Sequence, residues 1–492
     1  MSPAAPAVEL PRLDAAHLDR LPADARPLVR TADLRPRLVH FGPGAFNRAH
    51  QCVYTEAANA ATGQDWGQVA VAPSAQATVE AIRRQCGYFS IRQLRPDAVA
   101  TRVVGAIVQA HLSGADPAQV QAVLTSPETT VVTLTITEKG YALDEASGRL
   151  DLTRPSVAQD LTAVAAGDWP TSPIGHLAQA VATRARTHQA ALNLISCDNR
   201  AANGTALARA VDDFLAASAW TDRDRLRSWL ADRVAFPSTL VDRIVPAPTD
   251  HERAQAGAAL GLRDDLAVAA EPFRQWVIED RFSADRPPWE AAGAVLVADV
   301  APYQLTKLRL LNGVHSALAY LGLAAGLSSI DQVLRTAWGP GLVRSWAGEA
   351  GASLPPGGPD PAAYADSLVE RLSNPALSHK LRQIGSDGSQ KVPYRWFEGA
   401  RRLRQQGQST PLHQLALAAW GLSCQPGPDG GQRWGTSDPR ADQLAACWSQ
   451  PTELALAGLL DAVGFPDLAQ DDGFVPGAAD RLPALRAGRI EL

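Results

Sequence analysis

Residues 38–50 read LVHFGPGAFNRAH, and the fold class is argued outward from them. A short apolar run ending at Phe41 breaks at Gly42-Pro43-Gly44 and continues as AFNRAHQCVYTEAANA, which is compatible with a helix. The order is strand, tight turn, helix. Glycines at such a turn permit a sharp bend and let backbone N–H groups approach a pyrophosphate at the helix N-terminus. Alone, a Gly-Pro-Gly turn is weak, and Asn47 stands where G-x-G-x-x-G has its third glycine. Its surroundings add weight. Further strands fit residues 68–72 (QVAVA), 131–137 (VVTLTIT) and 191–196 (ALNLIS), where β-branched and apolar residues dominate. Helix-like stretches lie at 75–84, led by Ser74, at 117–124, led by Asp116, and at 204–217. This alternation predicts an α/β fold, a Rossmann-type, doubly wound parallel sheet reaching to about residue 290, whose first βα turn is the place for a dinucleotide. Arg48 is then placed to neutralise a phosphate. The end of the second strand reads Ala72-Pro73-Ser74-Ala75-Gln76, without the acid that accepts from a ribose 2′-OH, so the choice between NAD and NADP stays open.

After Arg286-Pro287-Pro288-Trp289 the pattern changes to long stretches of helical period, among them TKLRLLNGVHSALAYLGLAAG, AAYADSLVERLS and PLHQLALAAWGLS. Residues 291–492 are therefore expected to form a mostly α-helical domain. Two connections, 354–360 and 425–439, read as solvent loops from their Gly and Pro content.

The chain has 492 residues, a net charge of -5 and no run of basic residues, which argues against nucleic acid as the main partner. No apolar run approaches the roughly 18–20 residues of a membrane span. The N-terminus carries early acids and prolines without an apolar h-region, so a cytoplasmic protein is expected. The five cysteines are far apart and form no C-x-x-C pair, which fits reduced thiols better than disulfides or structural zinc. Lysine is scarce: Lys139, Lys307, Lys380 and Lys391 stand against 42 arginines, since 46 − 4 = 42, and there are seven asparagines. Where Lys or Asn persists against such a bias, Arg or Gln is expected to be unable to do its work.

That criterion isolates Lys307, Asn312 and His315 in KLRLLNGVHS. At about 100° per residue they fall near ~0°, ~140° and ~80°, one contiguous sector carrying an acid/base, an amide and an imidazole. It also isolates Asp198-Asn199 at the end of a predicted strand, although a helix N-cap is the commoner use of that pair. For His315 the plain alternative is a satisfied core histidine, and for Lys307 a snorkelling side chain. Tyr303 and Lys307 spell Y-x-x-x-K, the catalytic pair of short-chain dehydrogenases. Those chains are about half as long and hold the pair closer to the Gly-rich turn, so the match is read as coincidental.

The blocks LVHFGPGAFNRAHQ, TLTITEKGY, ISCDNRAANG, FPSTLVDRIVPAPT, EPFRQWVIEDRF, KLRLLNGVHSALAYLG and QIGSDGSQKVPYRW together resemble the polyol-specific long-chain dehydrogenase/reductase (mannitol dehydrogenase) family. Within it the chain looks most like the fructuronate reductases, also called D-mannonate oxidoreductases. The resemblance implies a Rossmann-type N-terminal domain (1–290), a helical C-terminal domain (291–492), and NAD(H)-dependent interconversion of D-fructuronate and D-mannonate without a metal where the two domains meet. It implies Lys307 as general acid/base, Asn199 and Asn312 as oxyanion donors, and His315 as partner of a substrate hydroxyl. Asp242 and Lys391 would line the substrate site. Phe41, Gly42, Gly44, Ala45, Phe46 and Arg48 would hold the cofactor, with Glu138 and Lys139 at its far side. Two departures stand out: Asn47 replaces the histidine usual in GAFHRAH, and Ser238 the polar residue usual in FPN. A uronate also needs a cation at the far end of the site, for which Lys391, Arg382 and Arg395 are available. The alternatives are a mannitol 2-dehydrogenase or other polyol or ketose dehydrogenase, a tagaturonate reductase, or a dinucleotide-binding sensor without catalysis. No long unexplained apolar face demands a partner chain, which fits a monomer or weak oligomer acting on a small sugar acid or polyol.

Overall fold

In the computed structural model, which describes residues 10–144, 146–377, 380–427 and 430–492, every strand precedes Ala301. The strands are β1 (Arg35–Phe41), β2 (Trp66–Ala72), β3 (Phe89–Leu94), β4 (Val99–Val104), β5 (Ile107–Leu112), β6 (Val131–Leu134), β7 (Leu192–Ser196), β8 (Val234–Ala235), β9 (Thr239–Asp242), β10 (Val268–Ala270), β11 (Gln275–Glu279) and β12 (Val295–Val297). Six form one sheet in the order β5-β2-β1-β6-β7-β8, with every pairing parallel. From β1 the chain moves outward to β2 and β5, then crosses back to β6 on the other side of β1. The order therefore reverses between β1 and β6, and beyond the carboxyl ends of these strands such a sheet opens its ligand crevice.

Parallel strands covered on both faces read as continuous apolar runs, and all seven residues of β2 are buried. Its side chains alternate between two cores. Val69 and Val71 join Val39, Phe41, Val132 and Leu194 under the helices Pro117–Thr125, Pro173–Arg186 and Asn203–Ala217. Ala70 and Ala72 face Cys52, Val53, Val79 and Ile82 of the helices Gln51–Thr62 and Gln76–Arg84. Two three-stranded sheets, β10-β3-β4 and β12-β11-β9, complete this unit.

Several expectations need correction. The strand expected over 131–137 stops at Leu134, because the Asp198 carboxylate takes the N–H groups of Ile136 (3.2 Å) and Thr137 (2.9 Å) away from any ladder. Ser74 does not cap the following helix, which starts at Gln76. Asp116 occupies an N-cap position, yet its carboxylate accepts from Leu112 N–H and Arg83 instead of from its own helix. Strands β3 to β5 escaped the sequence reading because Arg92, Arg102 and Gln109 dilute their apolar pattern. The chain divides between Val300 and Ala301, and residues 291–300 stay with the first unit because β12 pairs with β11.

The second unit, Ala301–Leu492, is helical, with Trp346, Trp396 and Trp420 fully buried in its core. The helix Gly313–Ala324 is buried almost all round: Val314, Ala317, Leu318, Ala319, Tyr320 and Leu321 are each at most 1% exposed, as expected of a central helix. The single helix expected from residue 306 onward is interrupted. Ala301–Thr306 is α-helical, Lys307–Asn312 is π-helical, and the α-helix resumes at Gly313.

Candidate active site

The turn after β1 is built around Gly42. Its φ of +91° lies in the region that favours glycine, and an added Cβ would stand 2.1 Å from the Thr135 carbonyl oxygen beyond β6. The Gly42 N–H donates to Val71 O at 2.9 Å, and the Thr135 hydroxyl donates to Gly42 O at 2.8 Å. Beneath the turn lies His40, whose Nδ1 meets Thr133 Oγ1 at 2.7 Å while Nε2 lies 2.9 Å from Thr135 Oγ1 and 3.2 Å from Gly42 O. Burial lowers its pKa to about 3, so the ring is neutral, with Nε2–H donating to the turn and Nδ1 accepting from Thr133. Gly44 stands at the N-cap of the helix Ala45–Ala49 with no side chain on the first-turn N–H groups, and a Cβ there would meet nothing closer than 3.9 Å. Phe41 is buried, Ala45 is half-buried, and Phe46 stacks on His50 at 5.0 Å. An uncapped, glycine-lined helix start at the switch point of a parallel sheet fits a nicotinamide dinucleotide.

Arg48 departs from the phosphate role expected of it. It is 6% exposed, and its guanidinium donates to Pro43 O (2.7 Å) and Leu266 O (3.2 Å). It braces the turn from below, and burial lowers its pKa to about 10. Asn47 also faces inward, exchanging amide hydrogen bonds with Gln68.

At the ends of β6, β7 and β9 a second group of side chains joins the loops. Asp198 also accepts from the Tyr141 hydroxyl at 2.8 Å, and burial raises the pKa values of both groups. It clamps the N-terminus of the helical turn Thr137–Gly140, which carries the exposed Glu138 and Lys139, and it does not cap the helix that follows it, Asn203–Ala217, whose N-cap position is Ala202. The exposed Asn199 follows directly. Asn203, a residue the sequence reading did not assign, is fully buried: its Nδ2 approaches Ser196 O (3.3 Å), Asp198 O (3.1 Å) and Thr239 O (3.1 Å), while its Oδ1 accepts from Thr239 N–H (2.9 Å). It thereby ties the strand end before Asn199 to β9, whose last residue is the buried Asp242. Its scarcity was the available signal.

In the second unit Lys307, Asn312 and His315 are all half-buried. The π-helical segment changes the sector drawn for them at 100° per residue. Its hydrogen bonds run i→i+5, as from Gly313 N–H to Leu308 O, so Asn312 stands about one turn above Lys307. Long-range donors hold this wide turn. Trp346 Nε1 donates to Arg309 O and Trp396 Nε1 to Gly313 O, each at 2.8 Å. Arg395 Nη1 donates to Ser316 Oγ at 2.7 Å and to Asn312 O at 3.4 Å. Gly313 permits the close approach, since a Cβ there would stand 3.2 Å from both Arg395 O and Trp346 Nε1. Trp396 and Arg395 come from a second π-helical segment, Pro393–Phe397. Lys391, five residues earlier than Trp396, donates to Ser386 O at 2.6 Å and lies 3.6 Å from Asp387, and burial lowers its pKa. Arg382 is exposed and lies against Gly435.

Residues 36–291 match the mannitol dehydrogenase Rossmann domain and residues 299–486 the mannitol dehydrogenase C-terminal domain. The chain belongs to the mannitol dehydrogenase family. It is 39% identical over 403 residues to the D-mannonate oxidoreductase of Escherichia coli (strain K12), covering 80% of this chain and 81% of that protein. Among solved structures it is similar to D-sorbitol dehydrogenase in substrate-free form, with a TM-score of 0.85, 28% identity and 97% of each chain covered. The ternary complex of Pseudomonas fluorescens mannitol 2-dehydrogenase with NAD and D-mannitol matches with a TM-score of 0.78 and 30% identity, over 96% of this chain and 97% of that one. Membership in this family makes the protein a dehydrogenase/reductase acting on CH–OH groups, with a nicotinamide dinucleotide as cofactor.

Proposed function

We propose that this enzyme interconverts D-fructuronate and D-mannonate with NAD(H). The observation that carries the reading is the π-helical segment presenting Lys307 and Asn312 one turn apart, with His315 just beyond, in a chain 39% identical to a D-mannonate oxidoreductase. Gly42, Gly44, Ala45 and Phe46 would hold the cofactor, and bound there it supplies or accepts the hydride. The amide N–H groups of Asn199 and Asn312 meet the negative charge that develops on the carbonyl oxygen, and each such donor is worth about 3–4 kcal/mol in a site that excludes water. Lys307 delivers the proton in reduction and removes it in oxidation, and His315 takes a substrate hydroxyl. Arginine cannot replace Lys307, because guanidinium does not release its proton near neutral pH. Asp242 and Lys391 complete the substrate contacts.

Oxidation of NADH and of NADPH is to be measured with fructuronate, tagaturonate and fructose side by side. Fructuronate with NADH is expected to give the highest kcat/KM, and a clear preference for fructose would move the reading to a mannitol 2-dehydrogenase, the activity of the Pseudomonas fluorescens relative. Absence of turnover with all three would favour a dinucleotide-binding sensor. Lys307→Arg should bind NADH normally and lose turnover by orders of magnitude; near-normal turnover would remove Lys307 from the mechanism.

A further inference from the structure

Of the three cations the sequence offers for a uronate carboxylate, Lys391 already has a counter-charge and Arg382 is solvated. Lys391 donates to a carbonyl and has Asp387 at 3.6 Å, and Arg382 is an exposed side chain packed on Gly435. Arg395 differs. It is half-buried, and its two hydrogen bonds run from one nitrogen, Nη1, to neutral oxygens of Ser316 and Asn312. Among the described residues no carboxylate pairs with it, and neither Nη2 nor Nε has a hydrogen-bond partner or is sealed from solvent. Lys391 lies close enough to oppose its charge further, and removal from water already disfavours the charged form. Holding a hydroxyl and a carbonyl requires no positive charge, and keeping a half-desolvated guanidinium without a counter-charge is costly. A guanidinium fork anchored on one nitrogen and open on the others matches a carboxylate in two-point geometry. Its anchor is the backbone of Asn312, the residue assigned to the reacting oxygen.

We infer that Arg395 receives the carboxylate of the sugar acid, so that the enzyme distinguishes hexuronates and aldonates from neutral ketoses and alditols through this one side chain. The inference rests on the proposed function and deepens it, since it names the residue that decides between the acid and the polyol. Ser316 is the positioning residue that fixes the fork.

The test compares wild type, Arg395→Gln and Arg395→Lys for kcat and KM with fructuronate and with fructose. Thermal shifts are measured in parallel with D-mannonate and with D-mannitol. Arg395→Gln is expected to lower kcat/KM for fructuronate roughly 10- to 100-fold, mostly through KM, the range for a lost hydrogen bond to a charged group. Any loss from releasing Asn312 O falls on fructose and fructuronate alike, so the ratio of their kcat/KM values should still drop by that factor, and the D-mannonate shift should disappear while any D-mannitol shift persists. Arg395→Lys, a point charge without the fork, should fall between. An equal loss for both substrates, carried by kcat, would show that Arg395 only supports Asn312 and would overturn the inference, as would an unchanged ratio. If wild type does not reduce fructuronate yet its D-mannonate shift depends on Arg395, the proposed function falls and this inference stands. If wild type reduces fructuronate and Arg395→Gln keeps the same ratio, the reverse holds. No D-mannonate shift and no fructuronate turnover in wild type would sink both.

Discussion

Gly42 and Gly44 lie two residues apart, and alanine at each should fail in a different way. At Gly42 alanine must adopt a φ near +91° and place its Cβ 2.1 Å from Thr135 O, about 0.9 Å inside the 3.0 Å closest approach of real Cβ atoms. The left-handed backbone costs about 1–2 kcal/mol and forcing extra volume into a packed site about 1–3 kcal/mol, so Gly42→Ala should lose about 2–5 kcal/mol. At about 2 °C per kcal/mol for a unit of this size, Tm falls by roughly 4–10 °C. Gly44→Ala has φ −72° and no neighbour closer than 3.9 Å, so its Tm should change by less than about 1 °C. Its methyl group instead enters the space a pyrophosphate needs, and NADH affinity should fall at least about 10-fold. Scanning calorimetry and NADH fluorescence titration read the two effects separately. Wild-type Tm in Gly42→Ala, or wild-type NADH affinity in Gly44→Ala with the fold intact, would refute the assignment of this turn.

Two further predictions concern buried groups beside the site. Asn203→Ala leaves the Thr239 N–H without its acceptor and should destabilise the protein by about 2–4 kcal/mol in urea unfolding, with kcat falling more than NADH affinity because Asn199 loses its support. His40 has a folded pKa of about 3, below the ~6.5 of an unfolded chain, so between these values the unfolded state binds the extra proton. Its contribution is complete above pH ~6.5 and is lost as pH falls toward about 3; from pH 6.5 to 5 wild type should lose about 1.5–2 kcal/mol more than His40→Gln. Parallel losses in the two proteins would show that His40 titrates freely in the fold.

Much of the first unit was legible because β1, β2 and β7 are apolar runs bounded by turn residues, which is how strands covered on both faces must read. Strands β9 to β12 are at most five residues long, too short to show a period. Scarcity of Lys and Asn picked out Lys307, Asn312 and Lys391, but it has a second cause that sequence does not separate. Asn59 donates to Trp66 O (2.8 Å) and accepts from Trp66 N–H (3.1 Å); Asn193 bonds Ala284 O (2.9 Å) and Ser283 N–H (2.8 Å); Asn203 does likewise with Thr239. A short amide using both its donor and its acceptor on a backbone is as hard to replace as a catalytic one. The π-helical register was illegible for another reason. Its determinants, Trp346 and Trp396, lie 37 and 83 residues downstream of the carbonyls they hold, and the apolar pattern of residues 307–312 is compatible with either ladder.

The wide turn makes the number of residues between Lys307 and Asn312 part of the chemistry. A chain shorter by one residue there can close an ordinary i→i+4 ladder through the segment and still keep Lys307 and Asn312 one turn apart on the same side of the helix. The full-length segment wound as an ordinary α-helix would instead set these two side chains about 140° apart. With this number of residues, the donors that hold the wide turn decide whether the two groups meet, and losing those donors would silence the site while keeping its composition whole.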